Sequence, residues 1–248
     1  MAKKHNLSGY NRIRIKTAID AEIVKSDSFS IDVETGPMSP VSIRKKREVL
    51  TIRRPLCWFV FGLFFRLSRS RVKIAMPELR ELTISKNSSA VASGFVSSGD
   101  FKLALSDAGS FSGNMKTGDV RMDISGGSKA HLNGSCGNLF LKLRDESGVT
   151  GNITAAGNAV IDVSDRSEAG LTGSAGNLTV TINHGSTADL SGFQTHDVSV
   201  KMYRLSRCMI KIDGRLDAML NGASDLRYYG TPAMGNISVS TGSILRQE

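Results

Sequence analysis

The sequence repeats a short run of alternating apolar and polar residues about once every 20 positions. The runs begin at Phe101, Val120, Leu139, Ala159, Leu178, Val198, Leu216 and Ile237, and the steps between them are 19, 19, 20, 19, 20, 18 and 21 residues. The pair Leu82 and Ile84 lies one further step of 19 residues upstream. A fixed period of this length is typical of a solenoid, in which each repeat buries its apolar face against the next one.

Alternation with a period of two residues predicts β-strands, because it places every second side chain on the same face. Each repeat also holds a second short segment that ends in glycine, such as 131–134 or 171–173, and turn-forming residues separate the two segments. Each repeat is therefore predicted to be one coil of an all-β, single-domain parallel β-helix. The middle residues of successive runs are predicted to stack as one inward column about 4.8 Å apart. These are Leu103, Met122, Leu141, Ile161, Val180, Val200 and Ala218.

The repeat divides the single domain, residues 1–248, into three parts. Residues 82–243 are predicted to form the regular coils, and residues 244–248 a polar tail. Residues 1–81 are predicted to form irregular N-terminal coils, the first of which caps the solenoid. Their strands are predicted from alternating runs at 13–15, 23–24, 29–33, 41–43 and 49–52.

Charge and cysteine content exclude several classes of protein. The net charge is +9, and the window 44–73 alone holds ten Lys or Arg residues and one acid, so the rest of the chain sums to zero. This local excess argues against a basic rod that binds nucleic acid. Cys57, Cys136 and Cys208 lack the spacing of a disulfide framework or a metal site. No apolar segment follows residues 1–7, which favours a cytoplasmic location or a peripheral one at the inner face of the membrane.

An apolar insert at residues 53–71 interrupts the alternation. Ten mostly aromatic and aliphatic residues, 56–65, lie between arginines, and this number is too small for a helix that spans a bilayer. Three interpretations remain open: a core strand or cap over the solenoid end, an interfacial anchor on an anionic membrane, and a self-association surface. The predicted contact residues are Trp58, Phe59, Phe61, Phe64, Phe65, Arg53, Arg54, Arg66, Arg69 and Arg71.

No catalytic, cofactor or metal site is predicted. Asp107, Asp145 and Asp165 lie at one corner of three coils, where later coils place His184 and Arg204. An aspartate at a turn commonly bonds its own backbone, so we expect no cleft that gathers carboxylates with a basic residue. His131, His184 and His196 lack the spacing of metal ligands and are predicted to be solvated or to lie at corners.

Three features carry a resemblance to a known family: the strand 72–79, the Gly-Ser and Gly-Ala-Ser corners at 109–110, 126–128 and 222–224, and the closing segment 226–232. Over residues 9–243 the chain resembles the auto-transporter adhesin head (GIN) domain family of bacterial β-solenoids. The resemblance implies a right-handed parallel β-helix without established enzymatic activity, in a family whose members are often exported.

The sequence therefore favours a non-enzymatic bacterial structural or adhesion-type binding module, attached to a membrane surface through the 53–71 insert. The expected partners are an anionic membrane surface, a second copy of the chain or a carbohydrate, and not a nucleic acid. Two alternatives are a polysaccharide-active β-helix enzyme and a self-assembling scaffold whose rods stack end to end. Polar ladders on the outer wall suit a carbohydrate, but a solvated wall has the same composition.

Overall fold

The computed structural model describes residues 2–34, 40–55, 69–240 and 242–248. In these ranges the chain forms 25 β-strands and no helix. The N-terminal strands are β1 (Ala2–His5), β2 (Arg12–Lys16), β3 (Ile19–Lys25), β4 (Ser30–Glu34), β5 (Ser42–Lys46), β6 (Val49–Arg53) and β7 (Ser70–Met76).

The remaining strands alternate between two sheets, called A and B. Sheet B receives β8 (Glu81–Ser85), β10 (Phe101–Leu105), β12 (Val120–Ile124), β14 (Leu139–Leu143), β16 (Ala159–Val163), β18 (Asn177–Ile182), β20 (Asp197–Met202), β22 (Arg215–Leu220) and β24 (Ala233–Val239). Sheet A receives β9 (Ser89–Val96), β11 (Ser110–Lys116), β13 (Lys129–Cys136), β15 (Gly148–Ala155), β17 (Glu168–Ser174), β19 (Thr187–Thr195), β21 (Arg207–Ile212), β23 (Asp225–Tyr229) and β25 (Ile244–Gln247).

One coil consists of a sheet B strand followed by a sheet A strand, and each strand pairs in parallel with its equivalents in the neighbouring coils. The fold is thus the predicted β-solenoid. The predicted column is confirmed by the register, which joins Leu103 to Met122 and continues residue by residue to Ala218. Its seven members are at most 3 % exposed. The column also extends upstream through Leu82 and Ile13 to Leu50.

The corner from sheet B to sheet A has the same backbone conformation in each regular coil. Two consecutive residues adopt positive φ angles, as in Asp107-Ala108 (52° and 59°) and Asp145-Glu146 (both 59°). The N–H of the second residue donates to the carbonyl of the first residue one coil further on, as from Glu146 to Asp165 at 2.9 Å. Non-glycine residues pay a steric cost in this conformation, so the corner geometry is held by the stacking of coils.

A ladder of buried serines supports this corner. Ser128, Ser147, Ser167 and Ser186 follow the positive-φ pairs of four successive coils and are at most 2 % exposed. The N–H of each of the first three donates to the hydroxyl of the next at 3.2 Å. Because buried polar groups need partners, the ladder fixes the corner and leaves the two preceding side chains outside the wall.

The N-terminal strands do not stack in chain order. The coil β2–β3 lies between the coil β8–β9 and the coil β6–β7, which is the outermost. Beyond it, β4 pairs antiparallel with β7, β1 with β4, and β5 with β6. The prediction that 29–33 and 41–43 are strands of stacked coils is therefore wrong. Alternation has the same period in both kinds of sheet, and a tight turn such as that after β5 reverses the chain without a crossover.

The C-terminal prediction also needs correction, because residues 244–248 are not simply a tail. Ile244–Gln247 forms β25, which pairs in parallel with β23, and Leu226 lies opposite Leu245. Only one apolar position, Leu245, continues the inner face there, so the run is too short for the pattern to reveal it.

Candidate functional site

The apolar insert lies at the outermost N-terminal coil, between the end of β6 at Arg53 and the start of β7 at Ser70. This connection holds the 16 residues 54–69, whereas β10 and β11 are joined by the four residues 106–109. About a dozen residues thus exceed what this corner needs elsewhere in the solenoid. Within the connection, residues 56–68 lie outside the described residues, and with them the predicted contacts Trp58, Phe59, Phe61, Phe64, Phe65 and Arg66.

The other four predicted arginines lie at the same end of the solenoid but in different environments. Arg54 is half-buried, which lowers the pKa of its guanidinium, and it donates to the Ser70 hydroxyl at 3.2 Å. Arg69 donates to Asp20 at 2.8 Å and to the Asn87 side chain at 3.0 Å. These two residues fasten the ends of the connection to the solenoid wall. Arg53 and Arg71 are exposed to solvent.

A second basic group lies beside the connection on the hairpin β5–β6. Arg44, Lys45, Lys46 and Arg47 are all exposed, and Arg47 has a φ of 53° in the turn. No ion pair joins any of the four to another of the residues that the structure describes. We call these four residues, together with Arg53 and Arg71, the basic end. Its charges remain available to an external anion.

The corner between sheets B and A holds a second candidate site. An open depression of about 700 Å³ is lined by Gly126, Gly127, Asp145, Glu146, Asp165, Arg166 and His184. The two glycines occupy the positive-φ pair of their coil and leave a gap in a column of charged side chains. The expectation that no cleft gathers carboxylates with a basic residue is therefore wrong. Each coil adds two outward side chains about 4.8 Å from the last, so charges from consecutive coils converge.

Most ionisable groups of this depression are engaged with one another, and Asp145 lies 3.8 Å from Arg144 outside it. Arg166 lies 2.6 Å from Glu146, and the Nδ1 atom of His184 lies 3.2 Å from Asp165. Arg204 from the next coil contacts Nε2 of His184. Within the described parts of the chain, no group of three or more His, Cys, Asp or Glu side chains is arranged to hold a metal ion. The depression therefore offers paired hydrogen-bonding groups rather than a bare carboxylate pair.

The remaining polar candidates lie apart from both sites. His131 contacts the Thr150 hydroxyl at 3.0 Å on the outer face of sheet A. His196 is exposed, and its hydrogen bond to Asp213 at 2.8 Å raises the pKa of the imidazole. Cys136 and Cys208 are buried, which raises the pKa of both thiols, that of Cys136 to about 11. Such thiols are poor nucleophiles at neutral pH because little thiolate is present.

A ladder at the opposite corner, from sheet A to sheet B, was not predicted from the sequence. There Asp119 and Asn138 follow Gly118 and Gly137, and each side chain accepts a bond from the backbone one coil further on. The backbone N–H of Asn138 donates to the side-chain oxygen of Asp119 at 2.9 Å, and the backbone N–H of Asn158 donates to that of Asn138 at 2.9 Å. The signal was a Gly-Asp or Gly-Asn pair recurring with the coil period. These carboxylates and amides are structural, so they are removed from the set of candidate ligands.

Comparison with known proteins agrees with the fold and decides the family. Residues 9–169 and 141–232 match the family described as "Putative auto-transporter adhesin, head GIN domain". The chain belongs to this family. No curated protein sequence shows significant similarity to this GIN-family chain. The family description is that of a binding protein.

Several solved structures are similar to the GIN-family chain. A putative adhesin from Parabacteroides merdae is 16 % identical with a TM-score of 0.70, and the match covers 100 % of this chain and 95 % of that one. A putative lipid binding protein from Parabacteroides distasonis is 12 % identical (TM-score 0.66, coverage 100 % and 96 %). A putative adhesin from the same organism is 17 % identical (TM-score 0.63, coverage 100 % and 96 %). At these identities the likeness establishes the shared fold.

Among the described residues, no helix has the length and apolar character needed to cross a bilayer.

Proposed function

We propose that this GIN-family protein is a non-enzymatic binding module that attaches to an anionic membrane surface through its N-terminal end. The observation that carries the proposal is the basic end, six exposed cations beside a connection rich in aromatic residues. A surface potential attracts basic side chains with about 1 kcal/mol each when they lie near the lipid headgroups. Tryptophan and phenylalanine add apolar area that can be buried at the headgroup boundary.

The placement of these charges supports a surface contact. β5 is the edge strand of sheet B, so Arg44, Lys45, Lys46 and Arg47 lie at the extreme end of the solenoid. Arg53 ends β6, and the connection leaves from the same coil. A flat surface that meets this end of the rod therefore meets the cations of the hairpin β5–β6 and the end of β6, from which the connection starts.

A purely structural role for the same charges is the main competing explanation. Lysine on an edge strand prevents pairing with other chains, so the basic hairpin would protect the end of the solenoid from aggregation. A protective role needs exposed charge on β5 alone. It does not explain Arg53 and Arg71, nor an aromatic connection a dozen residues longer than a regular corner.

The proposal is tested by sedimentation of the full chain with vesicles of phosphatidylserine and phosphatidylcholine, and with vesicles of phosphatidylcholine alone, at low and high salt. Binding to anionic vesicles that falls with salt is expected, since screening weakens exposed charges. Replacing Arg44, Lys45, Lys46 and Arg47 by Gln should weaken binding by roughly fivefold per residue. The matched control replaces Lys102, Lys142, Lys201 and Lys211 by Gln, which removes the same charge from exposed wall positions.

A second variant, Trp58→Ser with Phe61→Ser, separates the remaining interpretations. Loss of vesicle binding without a lower melting temperature supports the anchor. If wild type does not bind and this variant melts at lower temperature, residues 56–65 form a cap and the membrane proposal is wrong. Equal loss of binding in the wall control and in the basic-end variant would also contradict the proposal, because net charge alone would then be responsible.

The depression at Gly126 and Gly127 supports a second candidate function, the binding of a carbohydrate. Its carboxylates, guanidinium and imidazole offer the donors and acceptors that sugar hydroxyls need, and the glycine gap gives a sugar ring room against the wall. Asp145→Ala and Arg166→Ala should each abolish binding on a glycan array, whereas Asp189→Ala on the wall of sheet A should not. Turnover of an acidic polysaccharide that Asp145→Ala abolishes would instead favour the enzymatic alternative.

A further inference from the structure

The C-terminal end of the solenoid is an open end. The last strands, β24 and β25, each pair with one neighbour, β22 and β23. Their outer edges present a row of backbone N–H and C=O groups to which, among the described residues, no further strand is added. Such an edge is a template for another strand.

The inner face of the last coil is also open. Met234, Ile237 and Val239 follow Leu216, Ala218 and Leu220 in the register of sheet B. The three β22 residues are at most 3 % exposed. In β24, by contrast, Met234 is 51 %, Ile237 38 % and Val239 43 % exposed. In sheet A, Leu245 of β25 continues the inner face next to Leu226 and is only partly buried. The apolar column therefore continues into the last coil that the structure describes, where one face of this layer contacts solvent.

We propose that a second copy of this chain covers this end, so that two molecules pair tail to tail. An exposed apolar layer bounded by two unpaired strand edges is unfavourable in water and is satisfied when both sheets continue into another molecule. A copy in the reversed orientation presents the same apolar layer and the same two edges. The contact would bury the last layer of each chain and extend sheets A and B across the interface.

Charge distinguishes this arrangement from head-to-tail stacking. The head of the molecule is closed by antiparallel strands, and its edge strand β5 carries Arg44, Lys45 and Lys46. Stacking that head on the tail would remove these cations from water against an end whose carboxylates are already paired with its own arginines, which is costly. Two heads would repel each other because both carry positive charge.

The tail is electrically self-complementary. It carries three arginines, at 215, 227 and 246, and three carboxylates, at 217, 225 and 248. Within one molecule Arg227 lies 3.1 Å from Asp225 and 3.4 Å from Glu248. Arg246 and Glu248 lie on the same side of an extended strand, so reversal of direction in the second copy can set each arginine near the other copy's carboxylate.

Symmetry limits the assembly to two chains. In a tail-to-tail contact both molecules use the same surface, and such a contact closes after one pair. The expected particle is a dimer of twice 26.6 kDa, and no larger species grows as the concentration rises. This distinguishes the proposal from the end-to-end scaffold that the sequence left open.

Sedimentation velocity of the full chain from about 1 to 100 µM tests the proposal, with a monomer–dimer equilibrium as the expected result. Ile237→Glu should weaken the dimer at least tenfold, because it places a charge in the apolar layer. Val160→Glu is the matched control, since Val160 is a similarly exposed apolar residue (40 %) on the outer wall of β16, and it should leave the dimer unchanged. Because both positions are exposed, circular dichroism should show that both variants fold.

Trp58→Ser with Phe61→Ser tests whether the N-terminal insert drives association instead, and this variant should remain dimeric. A chain that is monomeric throughout the concentration range would overturn the proposal. So would a series of larger oligomers, a dimer that survives Ile237→Glu, or a dimer that is lost with Trp58 and Phe61.

Discussion

The two ends of the solenoid terminate the same column of side chains in opposite ways. At the N-terminal end the column finishes at Leu50, which is 0 % exposed because β4, β5 and β1 close the last parallel coil with antiparallel strands. At the C-terminal end it finishes at Ile237, which is 38 % exposed, and the chain adds no covering strand within its described residues. At the first end, Arg44, Lys45, Lys46 and Arg47 form no ion pair with another described residue, whereas the second end carries equal numbers of both charges.

In this molecule the closed end is the one at which the strand direction changes. A further parallel coil would only move the exposed apolar layer one step along the axis. Antiparallel strands can instead turn their edges to solvent and carry charged residues there, as β5 does with Arg44, Lys45 and Lys46. The closed end is thus suited to contact with a charged surface, and the open end is suited to contact with the same end of a second copy.

The largest expected effect contrasts the two ends of the column directly. Leu50→Ala should lower the free energy of unfolding by roughly 2–5 kcal/mol, because it leaves a cavity in a fully buried layer. Ile237→Ala should lower it by less than about 1 kcal/mol, since its side chain is already partly solvated. Chemical denaturation at low protein concentration, where the monomer dominates, measures both. Equal losses would mean that the C-terminal layer is covered in the monomer, contrary to this description.

A smaller effect on the free energy of unfolding is expected from relieving the steric strain of a positive φ angle at one corner near each end. Ala18 and Ala223 have φ angles of 53° and 58°, which favour glycine. Ala18→Gly and Ala223→Gly should each stabilise the protein by about 1 kcal/mol or less, after the entropy that glycine adds to the unfolded chain. Ala223→Gly should in addition slow amide exchange in β23 and β25. A destabilising Ala223→Gly would contradict the positive-φ corner.

The smallest expected effect is the pH dependence of the open end. Asp217 accepts bonds from Arg215 and from the Asn236 backbone, which together hold the pKa of its carboxyl below the usual value. Because the pKa of Asp217 is lowered in the folded state, its ionised carboxylate stabilises β24 at neutral pH. This contribution is lost as the pH falls through the pKa of the folded state. Amide exchange in β24, corrected for intrinsic rates, should therefore quicken in acid.

The control for this prediction is Asp217→Asn, which should make exchange in β24 fast at neutral pH and nearly independent of pH. Exchange in β6 at the closed end should change little in either case. If β24 in the wild type is equally protected at pH 3 and pH 7, the carboxylate does not hold the last coil.

Much of the fold could be predicted because the repeat indicates which residues of successive coils lie beside each other. Knowing that Leu103 and Met122 hold the same place in successive runs is equivalent to knowing that they pair. The N-terminal order could not be predicted, since β2 is flanked by β6 and β8 although these strands are far apart in the chain. Nothing in an alternating run specifies which neighbour it pairs with, or in which direction.

The candidate sites were predicted only in part. Asp145, Asp165 and His184 each follow the last apolar residue of a run by two places, which predicts that they lie at one corner. The structure confirms this alignment. The next place, which adds Glu146 and Arg166, was not counted, and so the charged depression was missed. The aromatic residues of the insert lie outside the described residues, so their contact with a membrane stays a prediction.

The most direct test locates the basic end and the wall of the C-terminal half of the rod relative to a membrane. A fluorophore is attached at Lys45→Cys or at Lys201→Cys, in a Cys57→Ser background in which Cys136 and Cys208 remain buried. The two positions lie on β5 and β20, which are nine strands apart in sheet B, or about 43 Å. With anionic vesicles that carry a headgroup quencher, the account predicts strong quenching at position 45 and little at position 201. Equal quenching at both positions, or stronger quenching at 201, would contradict it.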